Sequence, residues 1–160
     1  MKNVGMSEAD WESYALEVLG ERGWTPVSGS SIAPGSGERQ SWDDLVLAPR
    51  LLDALRRLNS DVPGVYLQQA YVDIVAPRSN DPISENHRIH EWLVGGYRGI
   101  TYVDDSGQEV TPTIRLLAAD PADNDWLVAN QVTVRRLDAH RRFDIVAFCN
   151  GMPVSIIELK

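Results

Sequence analysis

The stretch Phe143–Lys160, FDIVAFCNGMPVSIIELK, decides how the rest of the chain is read. Two apolar runs meet at Asn150-Gly151, a dipeptide whose residues both tolerate positive φ and which therefore signals a hairpin. Three charges interrupt this apolar hairpin: Asp144 near its start, then Glu158 and Lys160 at its end. A buried carboxylate without a partner is costly, so acids inside a β-rich run call for a counter-charge, and a metal ion is a good candidate.

The residue types suit one chemistry in particular. Cleaving a phosphodiester at neutral pH requires charge neutralisation at the phosphate and a water activated by a divalent ion. Magnesium is usually held by one or two carboxylates together with water and substrate phosphate. Asp144 and Glu158 would supply that pair. Lys160 shares a strand face with Glu158 and would orient the attacking water or stabilise charge at the phosphate, with the Leu159 carbonyl as an extra ligand. Parity constrains this idea. A regular two-residue turn sets Cys149 against Met152 and Asp144 against Ile157, which sends Glu158 to the other face. The acids meet only if one strand carries an extra residue, so the site requires a departure from the simple hairpin between Phe148 and Val154. The competing reading has Asp144 capping a strand while Glu158 and Lys160 lie on a frayed, exposed edge. The residues alone leave both open.

Composition narrows the class. The 160 residues are 43% hydrophobic and 24% charged, about one globular domain's worth. A net charge of -8 excludes a free-standing module held on nucleic acid by overall phosphate attraction. The single Cys149 sits in an apolar run, which argues against a disulfide framework and for a reducing compartment. Neither an apolar run long enough to span a membrane nor a signal-peptide core is present, so a cytoplasmic protein without membrane attachment is expected.

Elsewhere the periodicities are helical first and extended later. Met1–Met6 reads as a disordered start, followed by Ser7 and Asp10 as an approximate capping box. Trp11, Tyr14, Ala15, Val18 and Leu19 fall on one helical stripe and are expected in the core, with Gly23 ending the helix. Glu12, at the edge of that stripe, reads as a solvated flanking acid. Residues 25–40 form a loop or bracket a short strand. A helical region is expected from Ser41, with Pro49 in the first turn of a helix carrying Leu51, Leu52, Leu55 and Leu58. Further helices are predicted over Val65–Val75 and after a cap at Ser84; His87 and His90 on the latter lack a third ligand. A hairpin turns at Asp104–Gly107, Trp126–Val134 is a strand, and Arg135, Arg136, Arg141 and Arg142 bracket the loop that leads into Asp144. The expected architecture is α/β of the α+β kind, helices flanking one mixed or antiparallel sheet.

Five segments in order, SEADWESYALEVLGERGW, ERQSWDDLVLAPRLLDALRRLN, SENHRIHEWLVGGY, NDWLVANQVTV and RRFDIVAFCNGMPVSIIELK, carry a resemblance across nearly the whole chain. It resembles the N-terminal endonuclease region of the restriction subunit of type I restriction–modification systems, within the PD-(D/E)xK nuclease superfamily. The resemblance implies a restriction-endonuclease-like core and a Mg²⁺-dependent double-strand DNA endonuclease with Asp144, Glu158 and Lys160 as its catalytic set. It also implies that Glu12, matching an acid on the family's first helix, joins Asp144 and Glu158 at the metal. Arg135, Arg136, Arg141 and Arg142 are expected to contact DNA phosphates. In the family, an ATP-driven translocase lies further along the subunit, ATP is not bound by this region, and modification and specificity subunits are partners. Two departures stand out. Phe143 occupies the place of the family's usual proline, and the chain ends at Lys160, before the family's helix with a glutamine-and-tyrosine motif. Residues 1–160 are therefore expected to be a truncated N-terminal part whose activity in isolation is in question. A non-catalytic subunit-docking domain, or a nuclease of the same superfamily from another repair or defence system, are the alternatives.

Overall fold

The hairpin at Asn150-Gly151 forms in a computed structural model that describes residues 5–159. Both turn residues adopt the left-handed conformation, with φ of 50° at Asn150 and 81° at Gly151, as a tight hairpin turn requires. Asn150 is fully buried, and its side-chain oxygen and backbone N–H are joined to the backbone of Asp125 at 2.8 Å each. Strand β5 (Ala139–Cys149) enters the turn and strand β6 (Met152–Ile157) leaves it. On the other side of β5 lies β4 (Trp126–Arg136), antiparallel to it, and beyond β4 lies the short β1 (Thr25–Ser28), which runs parallel. The sheet order is β1-β4-β5-β6, so the sheet is mixed.

Burial explains the order. β5 is central and reads IVAFC over Ile145–Cys149, all buried, as a strand covered on both faces of its sheet does. One cluster joins Leu127, Ala129 and Val132 of β4 to Val146 and Phe148 of β5, closed over by Ile32 and Leu47. Gly29 follows β1 where the chain passes over β4, and an added Cβ there would lie 2.4 Å from the Asn130 carbonyl oxygen. Only glycine permits that approach.

Helix α1 (Glu8–Glu21) starts at the expected box: Ser7 Oγ accepts from the Asp10 N–H at 3.2 Å, and the Ser7 N–H donates to Asp10 Oδ2 at 2.8 Å. Its core stripe differs from expectation. Trp11 and Tyr14 are 47% and 53% exposed and pack edge to face on each other at 6.2 Å, while Glu12, Ala15 and Leu16 are half-buried. The helix is turned so that the acid, not the aromatics, faces the sheet. Of the disordered start expected for Met1–Met6, residues 1–4 lie outside the described part.

The chain divides into two compact units, one running to Pro49 and resuming at Asp125, the other Arg50–Asn124. Helices α2 (Ala48–Leu58), α3 (Gly64–Val75) and α4 (Pro82–Gly95) precede a small antiparallel pair, β2 (Tyr102–Val103) and β3 (Glu109–Val110). Helix α2 begins at Ala48 and not at Ser41, because Asp44 turns the preceding segment by accepting the Val46 N–H at 2.9 Å. The cap of α4 is Asp81, three residues before the expected Ser84, with Pro82 in the first turn. In the second unit Asn59 replaces missing secondary structure, giving its amide to the Leu55 and Arg115 carbonyls and taking the Arg115 N–H at 2.7 Å. His87 is paired with Glu91 at 3.4 Å. No helix among the described residues is long and apolar enough to cross a membrane.

Phe148 is fully buried in the sheet's core cluster. Phe148→Ala is expected to cost about 3–5 kcal/mol, read as a lower urea midpoint at unchanged slope.

Candidate active site

The hairpin is regular at its turn and irregular beyond it. Cys149 pairs with Met152 and Phe148 with Pro153, but Ala147 pairs with Ser155, which leaves Val154 as an extra residue on β6. From there Val146 pairs with Ile156 and Ile145 with Ile157, the last pair of the ladder, and continuing that register past the end of β6 puts Asp144 level with Glu158. Without Val154 the partner of Asp144 would be Ile157, and Glu158 would project from the opposite face. The bulge lies within the interval that the parity argument required.

A backbone contact ties down the end of that row. The Leu159 N–H donates to Asp144 Oδ2 at 2.7 Å, holding the half-buried carboxylate against the chain segment that follows β6. Glu158 is more exposed, and its Oε1 lies 3.5 Å from Arg141 Nη2. Lys160 lies outside the described residues.

The row continues on the other side of Asp144. The β4–β5 ladder pairs Asn130 with Ile145 and Val132 with Phe143, and skips Gln131 and Asp144 between them. Gln131 has a φ of 53°, a left-handed backbone seldom adopted by residues other than Gly, Asn and Asp. Alternation slips on both strands here, since Ala129 and Val132, and likewise Val146 and Phe143, belong to one cluster. Helix α1 meets the sheet at this break: Glu12 Oε1 accepts from Asn130 Nδ2 at 2.7 Å, and Oε2 accepts from Gln131 Nε2. The reading of Glu12 as a solvated flanking acid is therefore corrected. It is a half-buried anchor with both oxygens occupied. Asn130 and Gln131 were not singled out from sequence, although an amide pair interrupting VANQVTV is the signal that marks them.

The four arginines divide by strand alternation. Arg135 and Arg142 share a face of the β4–β5 hairpin with Thr133 and His140, whereas Arg136 and Arg141 project from the other face. Arg141 lies over the Phe143 ring at 5.1 Å and Arg135 over the Trp42 ring at 4.3 Å. A concavity of about 500 Å³ is lined by Thr133, Arg135, His140, Arg141 and Arg142.

Two carboxylates and a nearby backbone are a hard, all-oxygen donor set of the kind magnesium accepts. Among the described residues, no three His, Cys, Asp or Glu side chains gather closely enough to hold a metal, so Glu12 does not form a three-acid cluster with Asp144 and Glu158. A carboxylate offers about four acceptor positions, and the Leu159 N–H takes one of those on Asp144. Oxygen donors of this kind suit a cation that completes its shell with water and phosphate. Cys149 is no nucleophile here, since burial, with Asp125 adding to it, pushes its thiol up to about 12.

With this geometry in place, comparison with known proteins places the chain. The family described as type I restriction enzyme R protein N terminus matches residues 5–160. The chain belongs to that family. Among its relatives, a Methanocaldococcus jannaschii protein, provisionally named a type I restriction enzyme MjaIXP endonuclease subunit, is 27% identical over 153 residues. That match covers 93% of this chain and 14% of the relative. The type I restriction enzyme HindI endonuclease subunit of Haemophilus influenzae is 26% identical over 159 residues, 97% of this chain and 15% of its own length. The chain thus spans about a seventh of the length of the curated relatives it matches. No solved structure matches it.

In this R-protein region, the Glu12 bonds join α1 to β4. Glu12→Ala leaves two amide donors without their acceptor and is expected to cost about 1.5–3 kcal/mol. Amide hydrogen exchange should then quicken across Glu8–Glu21 while the β5–β6 amides keep their protection.

Proposed function

We propose that this region is the nuclease of a type I restriction enzyme R subunit, hydrolysing DNA phosphodiesters with Mg²⁺ held by Asp144 and Glu158. The observation that carries the reading is the Val154 bulge, which shifts the β5–β6 register so that its continuation past Ile157 would set Glu158 level with Asp144. Such a bulge costs ladder regularity, and bulges are over-represented beside active sites. The metal supplies a Lewis acid for the scissile phosphate and an activated water when bound. The chain's own part is positioning. Asp144 is held by the Leu159 N–H, Glu158 stands opposite it, and Lys160 is assigned to orient the attacking water or to stabilise charge on the phosphate. Glu12 is assigned to the same centre from α1 once it releases the Asn130 and Gln131 amides that hold it here. Arg135, Arg136, Arg141 and Arg142 would neutralise the DNA backbone beside the acids, a local need in a chain of net charge -8.

In the whole subunit an ATP-driven translocase would bring double-stranded DNA to this nuclease, in complex with modification and specificity subunits, as a cytoplasmic defence against phage. A subunit-docking role without catalysis is the second reading. It is favoured by the fact that Asp144 and Glu158 already have partners, Leu159 and Arg141.

Two variants separate the readings in the assembled enzyme. Asp144→Ala is expected to lower Mg²⁺-dependent cleavage at least about a hundredfold while ATP hydrolysis and assembly persist. Unchanged cleavage would leave docking as the better account. Deleting Val154 removes no charged group but turns Glu158 to the opposite face, and should abolish cleavage as fully as Asp144→Ala, with circular dichroism confirming a folded sheet.

A further inference from the structure

We propose that Trp42, Thr133, Arg135, His140 and Arg142 form one built site for the phosphodiester backbone of duplex DNA, in which Trp42 is the positioning residue for Arg135. The proposal rests on the DNA reading above and deepens it, because it selects one face of the arginine hairpin and adds residues from a second segment of the chain.

The argument begins at the edge of β4. Strand β1 pairs with β4 only as far as Asn130, so the following residues of β4 would present an open edge on that side. The segment around Trp42 takes the place of β1: the Arg135 N–H donates to the Trp42 carbonyl at 2.8 Å. Arg39 fastens the segment from below. It is 2% exposed, and its Nη2 donates to the Thr133 carbonyl at 2.9 Å and to the Trp42 carbonyl at 3.3 Å. A buried guanidinium is costly, so this one stays only because fixed carbonyls receive it, with Asp44 acting in favour of its charge. Two guanidiniums approach the Trp42 ring, that of Arg39 at 5.8 Å and that of Arg135 at 4.3 Å. Arg135 is thereby held at its backbone and at its head.

That geometry suits a phosphate. A guanidinium laid on an aromatic face keeps its N–H fork in plane and open to a bidentate acceptor, and little side-chain freedom remains to be lost on binding. Across the hairpin Arg135 pairs with His140 and Thr133 pairs with Arg142, so a hydroxyl, an imidazole and two guanidiniums share one face. Together with Arg141 they line the concavity of about 500 Å³, and no acid is among the described residues that line it. In a chain of net charge -8 such a cluster would set the orientation of any polyanion that approaches. Arg141 also borders the concavity, but its guanidinium is engaged by Phe143 and Glu158, so it is left out of the site.

The test is binding of a fluorescent DNA duplex to this chain without divalent metal, by anisotropy over a salt series, for Arg135→Gln, Trp42→Leu, Trp42→Phe and the Arg135→Gln/Trp42→Leu double variant. Removing Arg135 is expected to weaken binding roughly three- to tenfold and to reduce the salt slope by about one phosphate contact. Trp42→Leu removes no charge, yet should reproduce both changes, Trp42→Phe should restore them, and the double variant should be no worse than Arg135→Gln alone. Additive losses, a Trp42→Leu slope equal to the parent's, or a parent that shows no salt-dependent duplex binding would each overturn the proposal. The two readings fail separately. Duplex binding that follows Arg135 and Trp42, with Mg²⁺-dependent cleavage indifferent to Asp144, refutes the nuclease and keeps this site, whereas cleavage that needs Asp144 with binding indifferent to Arg135 and Trp42 does the reverse.

Discussion

Strand parity governs this protein. Side chains on a strand alternate faces with a period of two, so one residue more or less in β6 decides whether Glu158 stands beside Asp144 or turns its back on it. Asn150-Gly151 sets a tight two-residue turn, and that turn by itself gives the wrong parity. Val154 restores the other one. Its side chain is 41% exposed and lies outside the core cluster, so the register shift is the larger consequence of its place in the hairpin. The surrounding strand can bear the irregularity because β5 is anchored on its other side by β4 and by the cluster around Phe148.

The same row of the sheet carries a second irregularity, at Gln131 and Asp144. A ladder interruption in a buried sheet leaves backbone groups short of partners and favours side chains that can substitute for them. Glu12 is such a substitute at one remove: it grips the amides of Asn130 and Gln131 and so holds α1 against the break. This explains the exposed aromatics. With Glu12 turned inward, Trp11 is carried about one helical position outward, and it meets Tyr14 instead of the core.

At the far end of the β4–β5 hairpin the chain concentrates positive charge that its overall composition lacks. Two of the four arginines are seated on rings, Arg135 on Trp42 and Arg141 on Phe143, each in its own direction. The ion pair of Arg141 with Glu158 joins the basic end to the acidic row. With Arg141 largely solvated and Glu158 more than a third exposed, such a pair contributes little to stability, about 0–1 kcal/mol, so its significance is geometric.

Local signals were enough for much of this. Asn-Gly marked the hairpin, Ser7 and Asp10 marked the start of α1, and the apolar run before Cys149 marked a strand, because turn chemistry, caps and apolar runs each leave a short-range imprint. The acids at 144 and 158 and the requirement for a bulge between them were also legible, since parity is arithmetic on the chain. The side chain that faces inward on α1 was not, because a wide apolar stripe tolerates a rotation of one residue and only the amides at 130 and 131, remote in sequence, choose between the settings. Nor was the placement of Arg39 and Trp42 under the arginine hairpin, for a loop's partners are fixed by where a strand edge falls open. Sequence determined the elements and the acids; tertiary structure decided which faces meet, because facing is set by long-range pairing that no local window contains.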